Sequence, residues 1–319
     1  MRAFIFPGQG SQSVGMGVAL ADASAVAREV FGEVDEALGQ NLRRLMAEGP
    51  ADELTLTENA QPAIMANAIA TLQVLVREGG VSLADKADFV AGHSLGEYSA
   101  LCAAEALDLT TTARLLKLRG RAMQAAVPVG EGAMAALLGA DVEKAQVIAG
   151  AAVDSIAAEG GPALVCTVAN DNDPLQVVIS GHRVAVERAV ALAKEMGAKR
   201  ALLLPVSAPF HCPLMEDAAR VMEGALAKAE LRAPLVPVYA NVDAVAVADP
   251  GAIRRLLVEQ VTGRVRWRES VLAMVDAGVT EFIEFGGKVL APMVKRIAPD
   301  VATVSVVSMD DIEAVLKTI

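Results

Sequence analysis

The chain has 319 residues, with 39 acidic side chains against 28 basic ones, and its net charge of −11 argues against nonspecific nucleic-acid binding. Apolar residues make up 54% of it but aromatics only 3%. The uncharged run 59–76 is interrupted by Asn59, Gln61, Pro62, Asn67 and Gln73 and falls short of the roughly 20 apolar residues of a membrane span. Three cysteines, odd in number and without C-x-x-C spacing, argue against a disulfide framework or a zinc site, and no metal or cofactor is expected. The apolar run 3–7 is too short for a signal-peptide core, so the expected location is cytoplasmic.

In chain order, residues 2–6 read as a strand that opens into the glycine-rich loop Pro7-Gly8-Gln9-Gly10-Ser11-Gln12. Alone, this loop could cradle a phosphate, but it lacks both the lysine of a P-loop and the dinucleotide spacing. The alternative is a loop that carries a backbone N–H toward a reacting centre. Helices are expected over 19–38, 42–48 and 63–76. Residues 87–106 then combine a short buried strand through Phe89, Val90 and Ala91, the turn Gly92-His93-Ser94-Leu95-Gly96, and a helix through Tyr98, Leu101 and Ala104. Strand, G-x-S-x-G turn and helix together form a nucleophile elbow, which lifts a serine hydroxyl to the top of a sheet. The bland alternative is a glycine-rich turn whose serine caps the helix.

A helix over 108–126 places Leu115, Leu116, Leu118, Ala122 and Met123 on one face and Arg114, Lys117 and Arg121 on the opposite one. Arg119 projects into the middle of the apolar face. An interior guanidinium there requires an anionic partner or a ligand, because an unpaired buried charge costs several kcal/mol. From 132 to 206 the pattern changes to strand 133–138, helix 142–157, strands 163–168 and 175–180, helix 184–196 and strand 201–206. This β-α-β-β-α-β order is the ferredoxin-like split unit. It divides the chain into a core of residues 1–128 and 206–319 and an inserted subdomain of residues 129–205, bounded by turn-rich segments. The closing segment reads as strand 236–240, helices 251–261 and 267–277, strand 281–285 and a basic helix with Lys295 and Arg296.

A serine nucleophile needs a base, and only His93, His182 and His211 are available. His93 adjoins Ser94 and should point away from it, while His182 follows a strand end and should cap or pack. His211, far downstream of Ser94, is the base by elimination. No acid stands out as a third member among Asp171, Asp173 and Asp243, which leaves open a dyad whose imidazole is held by a backbone carbonyl.

These motifs, with Gln61-Pro62-Ala63, Arg119-Gly120, Gln176-Val177-Val178-Ile179-Ser180-Gly181 and Pro209-Phe210-His211, make the chain resemble the malonyl-CoA:acyl-carrier-protein transacylases of bacterial fatty acid synthesis over nearly its whole length. The resemblance implies an α/β-hydrolase-like core with an inserted ferredoxin-like subdomain, and a ping-pong malonyl transfer from malonyl-CoA to the phosphopantetheine thiol of acyl carrier protein. It implies Ser94 as nucleophile, His211 as base, the N–H groups of Gln9 and Leu95 as oxyanion hole, and the Gln260 carbonyl as orienter of His211. Arg119 would hold the malonyl carboxylate, with Gln61, Met123 and Phe210 beside it in the substrate-binding set. A monomer is expected, without membrane or nucleic-acid partners, and an acidic carrier protein would dock on Lys199, Arg200, Arg264 and Arg266. One departure is visible: Gly286-Gly287-Lys288 stands where the family has G-P-G-K. The rival readings are the equivalent transferase of a polyketide or malonate decarboxylase system, a serine hydrolase, and a catalytically inert binding module.

Overall fold

The computed structural model describes residues 1–206 and 208–319. Its strands are β1 (Arg2–Phe6), β2 (Phe89–Gly92), β3 (Gly132–Leu138), β4 (Cys166–Asp173), β5 (Gln176–His182), β6 (Arg200–Leu203), β7 (Val238–Tyr239), β8 (Ala246–Val247), β9 (Glu281–Phe285) and β10 (Ala302–Val306). They form two sheets, so the chain is mixed α/β: a six-stranded sheet ordered β10-β9-β1-β2-β7-β8, parallel except for the β7–β8 pair, and a four-stranded antiparallel sheet ordered β4-β5-β3-β6.

Strands β1 and β2 lie side by side near the middle of the larger sheet, with Phe6 opposite Gly92. They are covered on both faces, which is why they read as apolar runs rather than alternating ones. Their carboxyl ends deliver the Pro7–Gln12 loop and the elbow to the same edge, where open parallel sheets place their ligands. In β3 the alternation is clear. Ala133, Ala135 and Leu137 pack against the helices Val142–Ala158 and Arg183–Ala193, whereas Met134 and Ala136 join the main core. Strand β3 is thus buried on both faces, whereas the edge strand β6 is largely exposed.

Most of the uncharged run 59–76 belongs to the helix Thr57–Gln73, buried on nearly every side, and its last three residues open the π-helical turn Val74–Glu78. An all-round apolar helix in a large core explains the composition. No helix among the described residues is long and apolar enough to cross a membrane.

Several boundaries differ from the sequence expectation. The helix expected over 63–76 begins at Thr57 and carries Pro62 inside it. The helix expected over 19–38 is two, Val18–Ala23 and Ala25–Leu38, because Ser24 leaves the helical region and caps the second, accepting the Ala27 N–H at 3.1 Å. The strand expected over 163–168 is displaced to Cys166–Asp173. Its polar end, Asn170 to Asp173, is buried because the core supplies partners: Arg268 for Asp171 at 2.9 Å and Arg296 for Asp173 at 2.8 Å. Lys117, expected on a solvated face, is buried and donates to Asn59 and Gln40 while pairing with Glu58. Leu118, placed on the apolar face, is instead 36% exposed. At Gly286-Gly287-Lys288, Gly286 adopts φ 77° and its carbonyl accepts from Asn67 at 3.0 Å. The buried carboxylate of Glu284 then accepts the N–H groups of Val289, Leu290 and Ala291, closing the helix start that follows.

Candidate active site

Ser94 sits between β2 and the helix Leu95–Ala103 with φ 54° and ψ −111°, a left-handed backbone that an L-residue holds at a cost of about 1 to 3 kcal/mol. The two glycines of the motif make this turn possible. A Cβ on Gly92 would lie 1.9 Å from the Gly96 carbonyl, and one on Gly96 would lie 2.2 Å from the Phe6 carbonyl oxygen. The elbow therefore packs backbone against backbone on the end of β1. His211 is also at positive φ, 56°, so both ends of the nucleophile–base pair sit in strained backbone that the surrounding packing must hold.

The Ser94 Oγ lies 2.7 Å from His211 Nε2, and His211 Nδ1 lies 2.9 Å from the backbone carbonyl of Gln260. A carbonyl only accepts, so Nδ1 carries the proton and Nε2 presents a lone pair to the serine hydroxyl. Burial and the nearby Arg119 cation pull the imidazole down to about 3, which keeps it neutral across the physiological range. The pair needs no carboxylate, and Asp171 and Asp173 are already committed to Arg268 and Arg296.

Arg119 comes from the helix Leu109–Ala126 and is 1% exposed. Three neutral oxygens hold its guanidinium: Gln61 Oε1 at 2.8 Å, Gln260 Oε1 at 2.8 Å and Ser94 Oγ at 3.2 Å. The face of Tyr98 lies 5.7 Å from its central carbon. Burial lowers its pKa, with the Tyr98 and Glu97 groups opposing the shift.

A cavity of about 270 Å³ opens over this group. Ser94, Leu95, His211, Arg119, Gln9, Gln61, Met123 and Phe210 all line it, so eight of the nine residues singled out from the sequence converge on one space. The ninth, Gln260, lies beneath it, fully buried. Gln9 enters from the loop after β1 and its side chain accepts from Thr57 at 3.2 Å. Leu95 is the first residue of its helix, where the N–H has no intrahelical acceptor. Met123 sits 3.8 Å from the Gln61 amide nitrogen. The second sheet contributes Met134 and Asn170 to the opposite wall.

The other histidines are elsewhere engaged. His93 turns away from Ser94 to Asn172 at 2.8 Å, and His182 accepts the Val165 N–H at 2.8 Å. Among the four cations expected to receive the carrier protein, two are already paired. Arg264 and Arg266 pair with Glu269 and line a separate cleft with Asp243 and Glu259, while Arg200 lies on β6.

Two residues that sequence reasoning left without a role support the elbow. Asn241, just past β7, accepts the Ser94 N–H at 2.7 Å and donates to the Gly92 carbonyl at 2.7 Å. Glu97, the first acid of the elbow helix, accepts from the Asn241 N–H at 3.0 Å and from Gln260 Nε2 at 2.8 Å. Burial pushes its carboxyl up to about 7. Glu97 directly follows the last glycine of the elbow motif, whereas Asn241 carries no local signal.

Comparison with known proteins accords with this geometry. Residues 3–296 match the model of the acyl transferase domain. The malonyl CoA-acyl carrier protein transacylase of Bacillus subtilis (strain 168) is 44% identical over 99% of this chain and 96% of its own. That of Escherichia coli (strain K12) is 45% identical over 92% of each. The crystal structure of an acyl-carrier-protein-S-malonyltransferase from Bartonella henselae superposes with a TM-score of 0.94 at 51% identity, covering 99% of this chain and 98% of the other. A malonyl-transacylase solved in complex with a type II PKS acyl-carrier protein superposes at 0.93 with 38% identity over 100% and 99% of the two chains. A nucleophile elbow, a carbonyl-held histidine and a buried arginine, in a chain this similar along its length, have one reading: the chain belongs to the acyl transferase family, among the malonyl CoA-acyl carrier protein transacylases.

Proposed function

We propose that the protein moves a malonyl group from malonyl-CoA to the phosphopantetheine thiol of an acyl carrier protein through a malonyl ester on Ser94. The observation that carries this reading is the position of Arg119, a buried cation held by neutral oxygens 3.2 Å from the nucleophile's Oγ. A planar guanidinium exchanges two such acceptors for a bidentate carboxylate with a gain in charge complementarity. The acyl group would thus be fixed by its far end with its thioester carbonyl over Ser94. Relatives named for malonyl transfer to acyl carrier protein support the same choice.

Ser94 Oγ attacks the thioester carbon as its proton passes to His211 Nε2, and the Gln260 carbonyl stabilises the resulting imidazolium through Nδ1–H. The N–H groups of Leu95 and Gln9 receive the oxyanion. Collapse expels CoA, whose sulfur takes the proton back from His211. The carrier thiol then repeats the steps in reverse, and no cofactor enters the balance. The architecture in which this occurs is an α/β-hydrolase-like core of residues 1–128 and 206–319 with a ferredoxin-like insertion of residues 129–205, a division supported by the β4-β5-β3-β6 order of the second sheet. Met123 and Phe210 form apolar walls, Gln61 steadies Arg119, and the protein works as a monomer in the cytoplasm.

The deciding assay supplies malonyl-CoA and a phosphopantetheinylated carrier protein and scores malonyl thioester on the carrier against free malonate. Thioester is expected to dominate; free malonate as the main product would make the protein a hydrolase. The base can be followed separately by NMR, since the chain has three histidines. The His211 ring should remain neutral at about pH 5, where an ordinary imidazole is protonated. Because its folded pKa is depressed, its contribution to stability is present above the unfolded value near 6.5 and is lost as pH falls toward 3. Protonation of His211 near pH 6.5 would remove the electrostatic account of the base.

A further inference from the structure

The backbone of Ser94 is held at both ends by carboxamides: its N–H by Asn241 Oδ1 at 2.7 Å and its carbonyl by Gln260 Nε2 at 3.0 Å. Both holders converge on one atom. Glu97 Oε2 accepts the Asn241 N–H at 3.0 Å and Gln260 Nε2 at 2.8 Å. A glutamine amide has a donor end and an acceptor end that exchange on a flip of its last torsion. With Nε2 drawn to Glu97 and to the Ser94 carbonyl, Oε1 has to face Arg119, which it does at 2.8 Å. The reverse orientation would set an NH2 group against a guanidinium and leave a buried carboxyl oxygen facing another oxygen. Through its backbone carbonyl the same residue holds His211 Nδ1. We propose that Glu97 is a positioning residue for the whole site, acting through Gln260: its Oε2 fixes the Gln260 amide so that one residue presents a carbonyl to His211 and an acceptor to Arg119. Glu97 itself touches neither the nucleophile's hydroxyl nor the cavity.

The inference rests on the transferase reading for its Arg119 half, so the test has an arm that does not. Glu97→Ala, Gln260→Ala and the double variant are compared, together with Glu97→Gln, by kcat/KM for malonyl-CoA and acetyl-CoA and by the rate at which a fluorophosphonate labels Ser94. Labelling reports the serine–histidine pair whatever the natural substrate is. Glu97→Ala should slow labelling and malonyl transfer roughly ten- to hundred-fold, the size expected for a small misplacement of reacting groups. It should also lower the ratio of malonyl to acetyl use. The double variant should exceed Gln260→Ala alone only by the smaller share that runs through the Asn241 N–H, and should fall well short of the product of the two single losses. Glu97→Gln keeps an oxygen at Oε2 and should recover most of the loss. If Glu97→Ala does not fold, Glu97→Asp, which withdraws the acceptor by one methylene, takes its place with the same expectation. Multiplying losses in the double variant, full activity in Glu97→Ala, or equal damage from Gln and Ala at this position would each overturn the proposal. Absent malonyl transfer with an intact labelling cycle would instead refute the transferase reading and leave the positioning role standing.

Discussion

Incubated with malonyl-CoA alone, the protein is expected to gain a single malonyl group on Ser94, and Ser94→Ala is expected to gain none and to transfer malonyl roughly 10³-fold more slowly or worse. The hydroxyl is 2.7 Å from a neutral imidazole whose acceptor nitrogen faces it, so removing it removes the atom placed to form the ester. Alanine suffers the same left-handed strain as serine at φ 54°, so the turn and the fold should survive and the loss should read as chemistry. Intact-mass and peptide mapping check both points. The cysteines offer no ready substitute. Burial pushes the Cys102 thiol up to about 12 and raises Cys212 as well, which leaves little thiolate at neutral pH. Malonyl found on either cysteine, or persisting in Ser94→Ala, would sink the assignment.

Arg119→Ala is expected to lose malonyl transfer while keeping or gaining activity with acetyl-CoA, which has no carboxylate to hold. A desolvated, charge-assisted pair is worth about 2 to 5 kcal/mol when one partner is removed. At about 1.4 kcal/mol per tenfold this corresponds to roughly 30-fold to several-thousand-fold in kcat/KM. Arg119→Lys should restore little, because a point charge cannot span two carboxylate oxygens or replace the contacts to Gln61 and Gln260 together. Stability provides an independent check. The oxygens now bonded to Arg119 are neutral, so its buried charge is incompletely compensated, and Arg119→Met should melt no lower than the parent. Parallel loss of malonyl and acetyl transfer, with a clear drop in melting temperature, would make Arg119 a structural ion rather than a carboxylate clamp.

The elements legible in the sequence were those whose chemistry is local. G-x-S-x-G between a short apolar strand and a helix announces a serine turn because the glycines relieve contacts within a few residues, and the structure shows those contacts at Gly92 and Gly96. Arg119 stood out because 3.6-residue periodicity places it among Leu115, Leu116 and Met123, and His211 because only three histidines exist. Periodicity failed for Lys117 and Leu118 on the same helix, since the apolar stripe says nothing of what covers the other faces. The contacts to Gln40, Asn59 and Glu58 that bury Lys117 come from separate segments. The polar end of β4 lies beyond the expected strand 163–168 for a related reason: Asn170 to Asp173 can be buried as strand because Arg268 and Arg296 arrive from the far end of the chain.

The sequence by itself therefore determined the nucleophile turn, the candidate base and the interior cation, each a consequence of short-range sterics, helical periodicity or scarcity. The tertiary structure alone decided how Asn241, Glu97 and Gln260 meet around Ser94. Glu97 lies 144 residues from Asn241 and 163 from Gln260, and their hydrogen bonds exist because β7 lies next to β2 and the helix Pro250–Thr262 ends beside the elbow. A carboxamide has no preferred partner until packing strips it of water; then the cost of an unpaired buried polar group selects the orientation that satisfies both ends of the amide.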